Sequence, residues 1–297
     1  MTGFRIWRFG FFFALVAGIG SAQTSSAPAT AVSLTPAIVE SGSPELIRFG
    51  VSAGATPDGE WLGRKLEFFR GRDGLAWYAL AGVDVETPEG TSTLRISVRT
   101  PAATSAIDLS RTVEIHPAHY RTSTLAVAPQ FVAPGPEELK RIKAESELKA
   151  KAFAASTPEP LWSGNFRAPV TAAPGEGFGT RRVFNGTLAS IHKGMDFRSA
   201  VGTPVRAGNS GVVVLARPLY YEGNCVVIDH GMGLFTISMH LSRVDVHEGQ
   251  HVWLGERIGL SGATGRVTGP HLHWAVRWQD AYLDPAKLLR LDLSGAR

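Results

Sequence analysis

Two histidines two positions apart mark the most informative stretch of the sequence, residues 269–274, GPHLHW. The stretch is predicted to form a β-strand, and side chains alternate faces along a strand, so His271 and His273 should point the same way. One imidazole could then bind a metal ion while the other transfers protons in the same small volume. A surface pair on an edge strand is the plainer alternative.

A second pair of ligand types lies upstream in residues 192–196, HKGMD. Gly194 argues against a helix here, and an extended strand edge would again place His192 and Asp196 on one face. His240 lies between the two pairs, in an apolar run where a lone histidine is usually a core residue. Zinc takes imidazole, carboxylate or thiolate ligands, and a catalytic site leaves one position to water. The joint pattern therefore makes a hydrolytic zinc site the leading hypothesis.

The single cysteine, Cys225, restricts the ligands to histidines and carboxylates and excludes an intramolecular disulfide bond. It lies in a strand-like run and is interpreted as a buried, inert thiol. The five remaining histidines are interpreted as ordinary exposed or capping residues. They are His116, His119, His230, His247 and His251.

The charge argues against a nucleic-acid partner, and the N-terminus points to an exported protein. The formal net charge is +4, and no block of like charge resembles a nucleic-acid-binding arm, so no nucleic-acid partner is expected. Residues 1–22 resemble a signal peptide, because Arg5 and Arg8 precede a short apolar run that small residues follow. That run is shorter than the about 20 residues of a membrane span. We predict cleavage and export to the periplasm or the cell exterior, with an uncleaved anchor as the alternative.

The rest of the chain is predicted to be mainly β. Residues 31–126 alternate apolar and polar positions around turn signals such as Pro57–Gly59, which is typical of an immunoglobulin-like accessory domain. Residues 134–156 predict a solvated linker helix that starts at Pro136 and contains i,i+4 ion pairs such as Glu145–Lys149. Residues 161–290 predict a compact antiparallel sheet with long glycine-rich loops.

This last region resembles the M23 (LytM/lysostaphin-type) zinc metallopeptidases, which cleave peptide cross-links of peptidoglycan. The resemblance runs from about Phe166 to Leu289. It is carried, in order, by residues 178–181 (FGTR), 192–197 (HKGMDF), 202–207 (GTPVRA), 227–231 (VIDHG), 239–242 (MHLS), 262–265 (GATG) and 269–273 (GPHLH). The looser match of the first half is to accessory N-terminal domains of exported family members.

The resemblance implies that His192, Asp196 and His273 bind one zinc ion per chain, and that His240 and His271 are catalytic. It predicts a zinc endopeptidase acting on peptidoglycan stem peptides or cross-links. No His-Glu-x-x-His sequence supplies a glutamate base, so the two catalytic histidines would share proton transfer and oxyanion stabilisation. A non-catalytic LytM-like module that binds the wall or activates an amidase is one alternative. A secreted peptidase for ordinary proteins is another. Three points stay open from the sequence. They are the division of roles between the two histidines, the oligomeric state, and whether the first half shields the site.

Overall fold

The structure, a computed structural model, describes Met1 and residues 32–50, 54–100, 105–125, 134–184 and 187–296. Contacts divide the chain into Met1–Thr30 and Ala31–Arg297, and the description below concerns the second unit. The predicted signal peptide, apart from Met1, lies outside the described residues. Within the described ranges, no helix is both long and apolar enough to cross a membrane.

Two β-sheets form the N-terminal half. Their strands are β1 (Ser33–Thr35), β2 (Val39–Glu40), β3 (Pro44–Gly50), β4 (Thr56–Trp61), β5 (Arg64–Lys65), β6 (Phe68–Arg70), β7 (Ala76–Gly82), β8 (Gly90–Arg99) and β9 (Ile107–His116). One sheet has the order β1-β3-β7-β6 and the other β2-β9-β8-β4-β5. Ile47 of the first sheet and Ile96 of the second belong to one buried cluster, as expected for a sandwich. The immunoglobulin-like type of this sandwich stays a prediction.

The predicted turn at Pro57–Gly59 is wrong, because these residues lie within β4, which pairs with β8. Gly59 is required for a close approach. A Cβ atom there would lie 2.7 Å from the carbonyl oxygen of Arg95 and 3.1 Å from the ring of Phe68. Glycine in a strand can mark such a contact as well as a turn.

Helix α1 (Pro136–Ala154) begins at Pro136 as predicted, but it is not solvated on all sides. Three of its partly buried apolar side chains pack against the sheet of the C-terminal half: Leu148, Ala152 and Phe153. The Phe153 ring meets Phe235 edge-on, with 5.2 Å between the ring centroids. The helix is therefore docked on the C-terminal half.

Polar contacts hold the same face of the helix. The predicted ion pair between Glu145 and Lys149 is not formed. Glu145 pairs with Arg141 at 2.7 Å and accepts the backbone N–H of Tyr220 at 2.8 Å, while Lys149 pairs with Glu222. Lys149 has thus exchanged the predicted intrahelical pair for a tertiary one, whereas Glu145 keeps an intrahelical partner.

An antiparallel sheet dominates the C-terminal half, as predicted. The remaining elements are β10 (Thr122–Leu125), β11 (Arg181–Phe184), β12 (Thr187–Ile191), β13 (Met195–Phe197), β14 (Pro204–Arg206), β15 (Gly211–Leu219), β16 (Gly223–Asp229), β17 (Leu234–Leu241), β18 (Arg243–Val244), β19 (His251–Val252), β20 (Arg257–Leu260), β21 (Leu272–Trp278), β22 (Ala281–Leu283) and helix α2 (Pro285–Leu288). The large sheet has the order β13-β21-β17-β16-β15-β19, with β22 beside β21. A small sheet, β14-β20-β18, accompanies it.

The two halves share one core. Strand β10 pairs in parallel with β11 across the predicted domain boundary. Phe69 of the first half meets Trp162 of the second edge-on, with 5.7 Å between the ring centroids. The domain limits at residues 126, 134, 156 and 161 stay a prediction, but the parts they would separate are packed together.

Candidate metal centre and catalytic histidines

Strand pairing brings the predicted site residues together. His273 in β21 lies between two paired strands. It is directly opposite Asp196 in β13 on one side and Met239 in β17 on the other. Paired strands lie about 4.8 Å apart, so side chains from these positions can meet. His240 follows Met239, and the order of the sheet therefore places it next to the same cluster.

His192 reaches the cluster through a bend. The predicted continuous strand edge over residues 192–196 is wrong, because β12 ends at Ile191 and β13 begins at Met195. Gly194 lies in the bend, where a Cβ atom would come 2.4 Å from Nε2 of His273. Only glycine leaves room for that imidazole.

Three potential ligand atoms converge in this cluster. Nε2 of His192 lies 3.1 Å from Oδ1 of Asp196 and 2.8 Å from Nδ1 of His273, and the latter two atoms are 3.0 Å apart. His192 donates its Nδ1–H to the carbonyl oxygen of Gly177 at 2.9 Å, so its Nε2 carries the lone pair in the neutral ring. Converging lone pairs on buried groups require a cation between them. Two imidazoles and one carboxylate therefore fit a zinc ion with an open position.

The charge states of the ligand groups suit a metal ion. Burial opposes the ionisation of Asp196, but close polar contacts with the His192 and His273 imidazoles outweigh it and hold the pKa of this carboxyl well below its usual range. Burial lowers the pKa of His273 to about 4. At neutral pH the cluster thus offers a carboxylate and a neutral imidazole, the forms that bind metals.

A loop and an arginine hold these ligands in place, and neither was predicted from the sequence. The carbonyl of Gly177 orients His192. Arg182 lies 3.4 Å from Oδ2 of Asp196 and also pairs with Glu176. A backbone carbonyl leaves no signal in residue type. Arg182 directly follows the motif at residues 178–181, and that position was the available signal for it.

The two predicted catalytic histidines lie side by side, with 4.9 Å between the ring centroids of His240 and His271. Nδ1 of His240 lies 2.9 Å from the carbonyl oxygen of Thr264, and Nδ1 of His271 lies 2.8 Å from that of Gly269. A carbonyl only accepts, so both Nδ1 atoms carry the proton and both Nε2 atoms carry a lone pair in the neutral rings. Nε2 of His271 is 3.8 Å from Oδ1 of Asp196, close to the metal cluster.

His240 has a constrained backbone. Its φ angle is 62°, in the left-handed region that costs about 1–2 kcal/mol for a residue with a side chain. Its N–H donates to the carbonyl oxygen of Glu222 at 2.8 Å, which fixes this conformation. Burial lowers the pKa of His240 to about 3, so the ring is neutral at pH 7. Strain of this kind is common at functional sites.

A cavity of about 630 Å³ adjoins the cluster. Four of the predicted site residues line it: Asp196, His240, His271 and His273. Its lining includes the exposed side chain of Arg198, so it is open to solvent. Within the described ranges, every lining residue comes from the C-terminal half. This placement gives no support to a shielding role for the described part of the first half.

His230 and Cys225 were both predicted to have no catalytic or metal-binding role. His230 is outside the site, as expected, but it is completely buried instead of being exposed or capping. Its Nδ1 bonds the carbonyl oxygen of Ser210 at 2.7 Å and its Nε2 bonds Oγ1 of Thr236 at 2.8 Å. Cys225 is buried, which confirms the interpretation as an inert thiol, and burial raises its pKa.

Comparison with known proteins agrees with this site. Residues 190–285 match the family model "Peptidase family M23". The peptidoglycan DD-endopeptidase ShyA of Vibrio cholerae serotype O1 is 55% identical over 83 residues, which cover 28% of this chain and 19% of ShyA. The DD-carboxypeptidase/endopeptidase Mpg of Neisseria meningitidis serogroup B is 41% identical over 98 residues, covering 33% of this chain and 23% of Mpg. The chain thus spans about a fifth of the length of these curated relatives.

A solved structure extends the likeness to both halves. The crystal structure of a Pseudomonas aeruginosa protein assigned to peptidase M23 has a TM-score of 0.66 and 28% identity, and the match covers 86% of this chain and 95% of that one. The large antiparallel sheet and its His-Asp-His cluster agree with a metallopeptidase. Residues 190–285 are thus a peptidase family M23 domain.

Proposed function

We propose that the chain is a zinc metalloendopeptidase that hydrolyses peptide bonds in peptidoglycan stem peptides or cross-links. The observation that carries this proposal is the convergence of the metal cluster and two further histidines on one open cavity. We further propose that the protein acts outside the cytoplasm, in the periplasm or at the cell exterior, because its substrate lies there.

The proposed mechanism assigns each residue one task. Zinc, when bound by His192, Asp196 and His273, supplies a Lewis acid that polarises the scissile carbonyl and lowers the pKa of water. His240 and His271 present Nε2 lone pairs in fixed orientations, because their Nδ1–H groups are bonded to carbonyl oxygens. Each Nε2 can accept a proton from the attacking water or return one to the leaving amine. Protonated, either imidazole can also donate a hydrogen bond to the developing oxyanion.

The relatives support the substrate class. ShyA and Mpg are named for endopeptidase activity, ShyA on peptidoglycan, and both names indicate a DD bond. We therefore propose cleavage of such a bond here. A non-catalytic module would be favoured by an incomplete ligand set or a closed groove, and the described residues show neither.

The test is digestion of purified sacculi by the zinc-loaded full chain, followed by mass analysis of the released fragments. We expect cross-linked dimers to decrease and monomers to accumulate, with the activity abolished by a chelator and restored by zinc. Casein serves as the ordinary protein substrate. Intact sacculi would contradict the proposal, and cleavage of casein alone would favour a general secreted peptidase.

A further inference from the structure

Helix α1 contacts a turn that lies next to His240. The turn, residues 220–222, joins β15 to β16. Glu145 of the helix accepts the backbone N–H of Tyr220 at 2.8 Å, and Lys149 pairs with the side chain of Glu222. Glu145 and Lys149 are four positions apart, so both side chains leave the same face of the helix. The helix therefore holds the 220–222 turn at both of its ends.

The pair between Lys149 and Glu222 is sheltered from solvent. The exposed fraction of the side chain is 31% for Lys149 and 13% for Glu222. Burial opposes the charge on Lys149, but the neighbouring carboxylate of Glu222 outweighs it and raises the pKa of this ammonium group. Lys149 is therefore charged at neutral pH. A charge-assisted hydrogen bond that is partly shielded from water is stronger than an exposed ion pair.

Glu222 faces His240 with its backbone. While its side chain pairs with Lys149, its carbonyl oxygen accepts the N–H of His240 at 2.8 Å. That hydrogen bond holds His240 at a φ angle of 62°, which is unfavourable for a residue with a side chain and needs support from its surroundings. A shift of the turn would therefore move the backbone of His240, and with it the imidazole.

The end of the turn also holds the partner of the His240 ring. Gly223 follows the turn directly and lies so close to Thr264 that a Cβ atom on Gly223 would be 2.3 Å from Oγ1 of Thr264. The N–H of Asn224 donates to the same oxygen at 2.9 Å. The carbonyl oxygen of Thr264 in turn accepts the Nδ1–H of His240 at 2.9 Å. The backbone and the ring of His240 thus both depend on the position of residues 220–224.

We propose that Lys149 is a positioning residue for His240. Its ion pair with Glu222 fixes the 220–222 turn, and the turn fixes the imidazole in the orientation that proton transfer requires. This inference rests on the proposed function and adds a task for helix α1 to it. Lys149 lies outside the set of described residues that line the cavity, so it acts on the rate of the chemical step and not on substrate binding.

The first measurement follows the link between Lys149 and His240 without any substrate. Hydrogen exchange of backbone N–H groups is recorded by NMR on the zinc-loaded full chain, in the parental protein and in Lys149→Met. We expect the N–H of His240 to exchange about tenfold faster in the variant, because a charge-assisted hydrogen bond is lost. The N–H of His230 is the reference, since it donates to the carbonyl oxygen of Leu234 at the same distance of 2.8 Å but at the opposite end of β16.

The second measurement is the turnover of soluble muropeptide dimers, corrected for bound zinc. Lys149→Met should lower kcat about tenfold and leave KM near the parental value, because a misplaced imidazole slows the chemical step. Lys149→Arg keeps the positive charge and should retain most of kcat. Glu222→Gln removes the charge of the partner but keeps the backbone carbonyl, so combining it with Lys149→Met should lower kcat no further than either single change. Lys151→Met is the matched control, since Lys151 is an exposed lysine of the same helix, and it should behave like the parental protein.

Three results would each overturn the proposal. They are exchange of the His240 N–H at the parental rate in Lys149→Met, equal acceleration at His230 and His240, and a parental kcat despite faster exchange at His240. An additive loss of kcat in the double variant would also overturn it, because the two residues would then act independently. Failure of the parental protein to cleave the dimers, with the selective change at His240 still present, would refute the proposed endopeptidase and leave the link from Lys149 to His240 standing.

Discussion

His230 lies just before β17 and His240 lies near its end. Both histidines are buried, but the two imidazoles have different surroundings. His230 has hydrogen-bond partners on both ring nitrogens, Ser210 and Thr236, and it does not line the cavity. Among the residues that the structure describes, His240 has a partner on Nδ1 alone, and it lines the cavity. Burial lowers the pKa of both, to about 4 and about 3 respectively.

Burial and a lowered pKa therefore do not distinguish a catalytic histidine from a structural one. The difference is whether a ring nitrogen is left available next to a space that substrate can enter. This comparison gives each region its own expected response to substitution.

The metal ligands should show the largest effect. His192→Ala and Asp196→Ala each remove one of the three ligands that the described residues offer, so we expect bound zinc to fall from one per chain to almost none. Activity on sacculi should disappear with it. Elemental analysis after dialysis measures the zinc, and circular dichroism checks the fold. His230→Ala is the control and should retain zinc; retention in all three proteins would refute the ligand assignment.

Removal of a catalytic imidazole should come next. His240→Ala and His271→Ala should retain zinc and lose about 10²–10⁴-fold in turnover, the usual contribution of a general acid or base. Steady-state rates on soluble muropeptide dimers, corrected for bound zinc, measure this loss. A parental rate in either zinc-loaded variant would remove that histidine from the mechanism.

The opposite response is expected of His230. His230→Ala leaves the carbonyl of Ser210 and the hydroxyl of Thr236 without their partner, and it opens a cavity in the core. We expect the free energy of unfolding to fall by about 2–4 kcal/mol, while the rate of the folded fraction stays parental. Urea unfolding measures the first quantity. A large loss of rate with unchanged stability would erase the distinction between the two histidines.

The histidine comparison also explains what the sequence could predict. His192, Asp196, His240, His271 and His273 were identifiable because their side chains carry the chemistry and because their motifs resemble those of a known family. The strand spacing predicted for residues 192–196 was wrong. Their orienting partners were not, since the main ones are backbone carbonyls, which every residue has. The number of hydrogen-bond partners of a buried imidazole depends on which segments of the chain pack against it.

The same limit applies outside the site. Gly59 looked like part of a turn because glycine is common in turns, but the constraint on it is the ring of Phe68 and the carbonyl of Arg95 from other strands. Lys149 has a suitable partner four positions before it, yet it pairs with Glu222. Local patterns identified the strands and the helix, while nonlocal contacts decided their environments.

A buried carboxyl in the N-terminal half extends the comparison to pH. Glu45 in β3 is fully buried, and one of its oxygens accepts the hydroxyl of Ser43 at 2.6 Å. The other oxygen has no partner among the described residues. Burial raises the pKa of Glu45 to about 8 from 4.5. The folded state thus holds a proton that the unfolded state releases.

This shift predicts that the contribution of Glu45 to stability is complete below pH 4.5 and is lost as the pH rises through about 8. The loss is at most about 1.4 kcal/mol per pH unit within that window. Glu45→Gln keeps the shape of the side chain but cannot ionise, so it should not show this loss of stability. The free energy of unfolding of both metal-free proteins is measured at several pH values. The difference between the parental protein and Glu45→Gln isolates the contribution of this carboxyl. Parallel stability curves would show that Glu45 has no raised pKa.

The smallest expected effect tests whether the N-terminal half supports the metal centre. Tyr120 donates its hydroxyl to the carbonyl oxygen of Ser41 at 2.7 Å, and its ring meets Phe178 edge-on with 5.9 Å between centroids. Gly179 lies so close to this ring that a Cβ atom would be 2.1 Å from it. Gly179 also donates its N–H to the carbonyl oxygen of His192 at 2.8 Å. Tyr120 therefore packs on the loop that orients a metal ligand.

Tyr120→Ala should weaken zinc binding about three- to tenfold, less than the 10–100-fold typical of a direct partner of a ligand, because Tyr120 acts through the loop. Tyr120→Phe keeps the ring and should bind zinc almost normally. Competition with a chelator measures the affinity of the folded protein. Tyr78→Ala is the control, since Tyr78 is buried in β7 and stacks on Phe69 away from this loop. Equal losses in Tyr120→Ala and Tyr78→Ala would mean that general stability sets the affinity. A loss confined to Tyr120→Ala would mean that the N-terminal half helps to position the metal site.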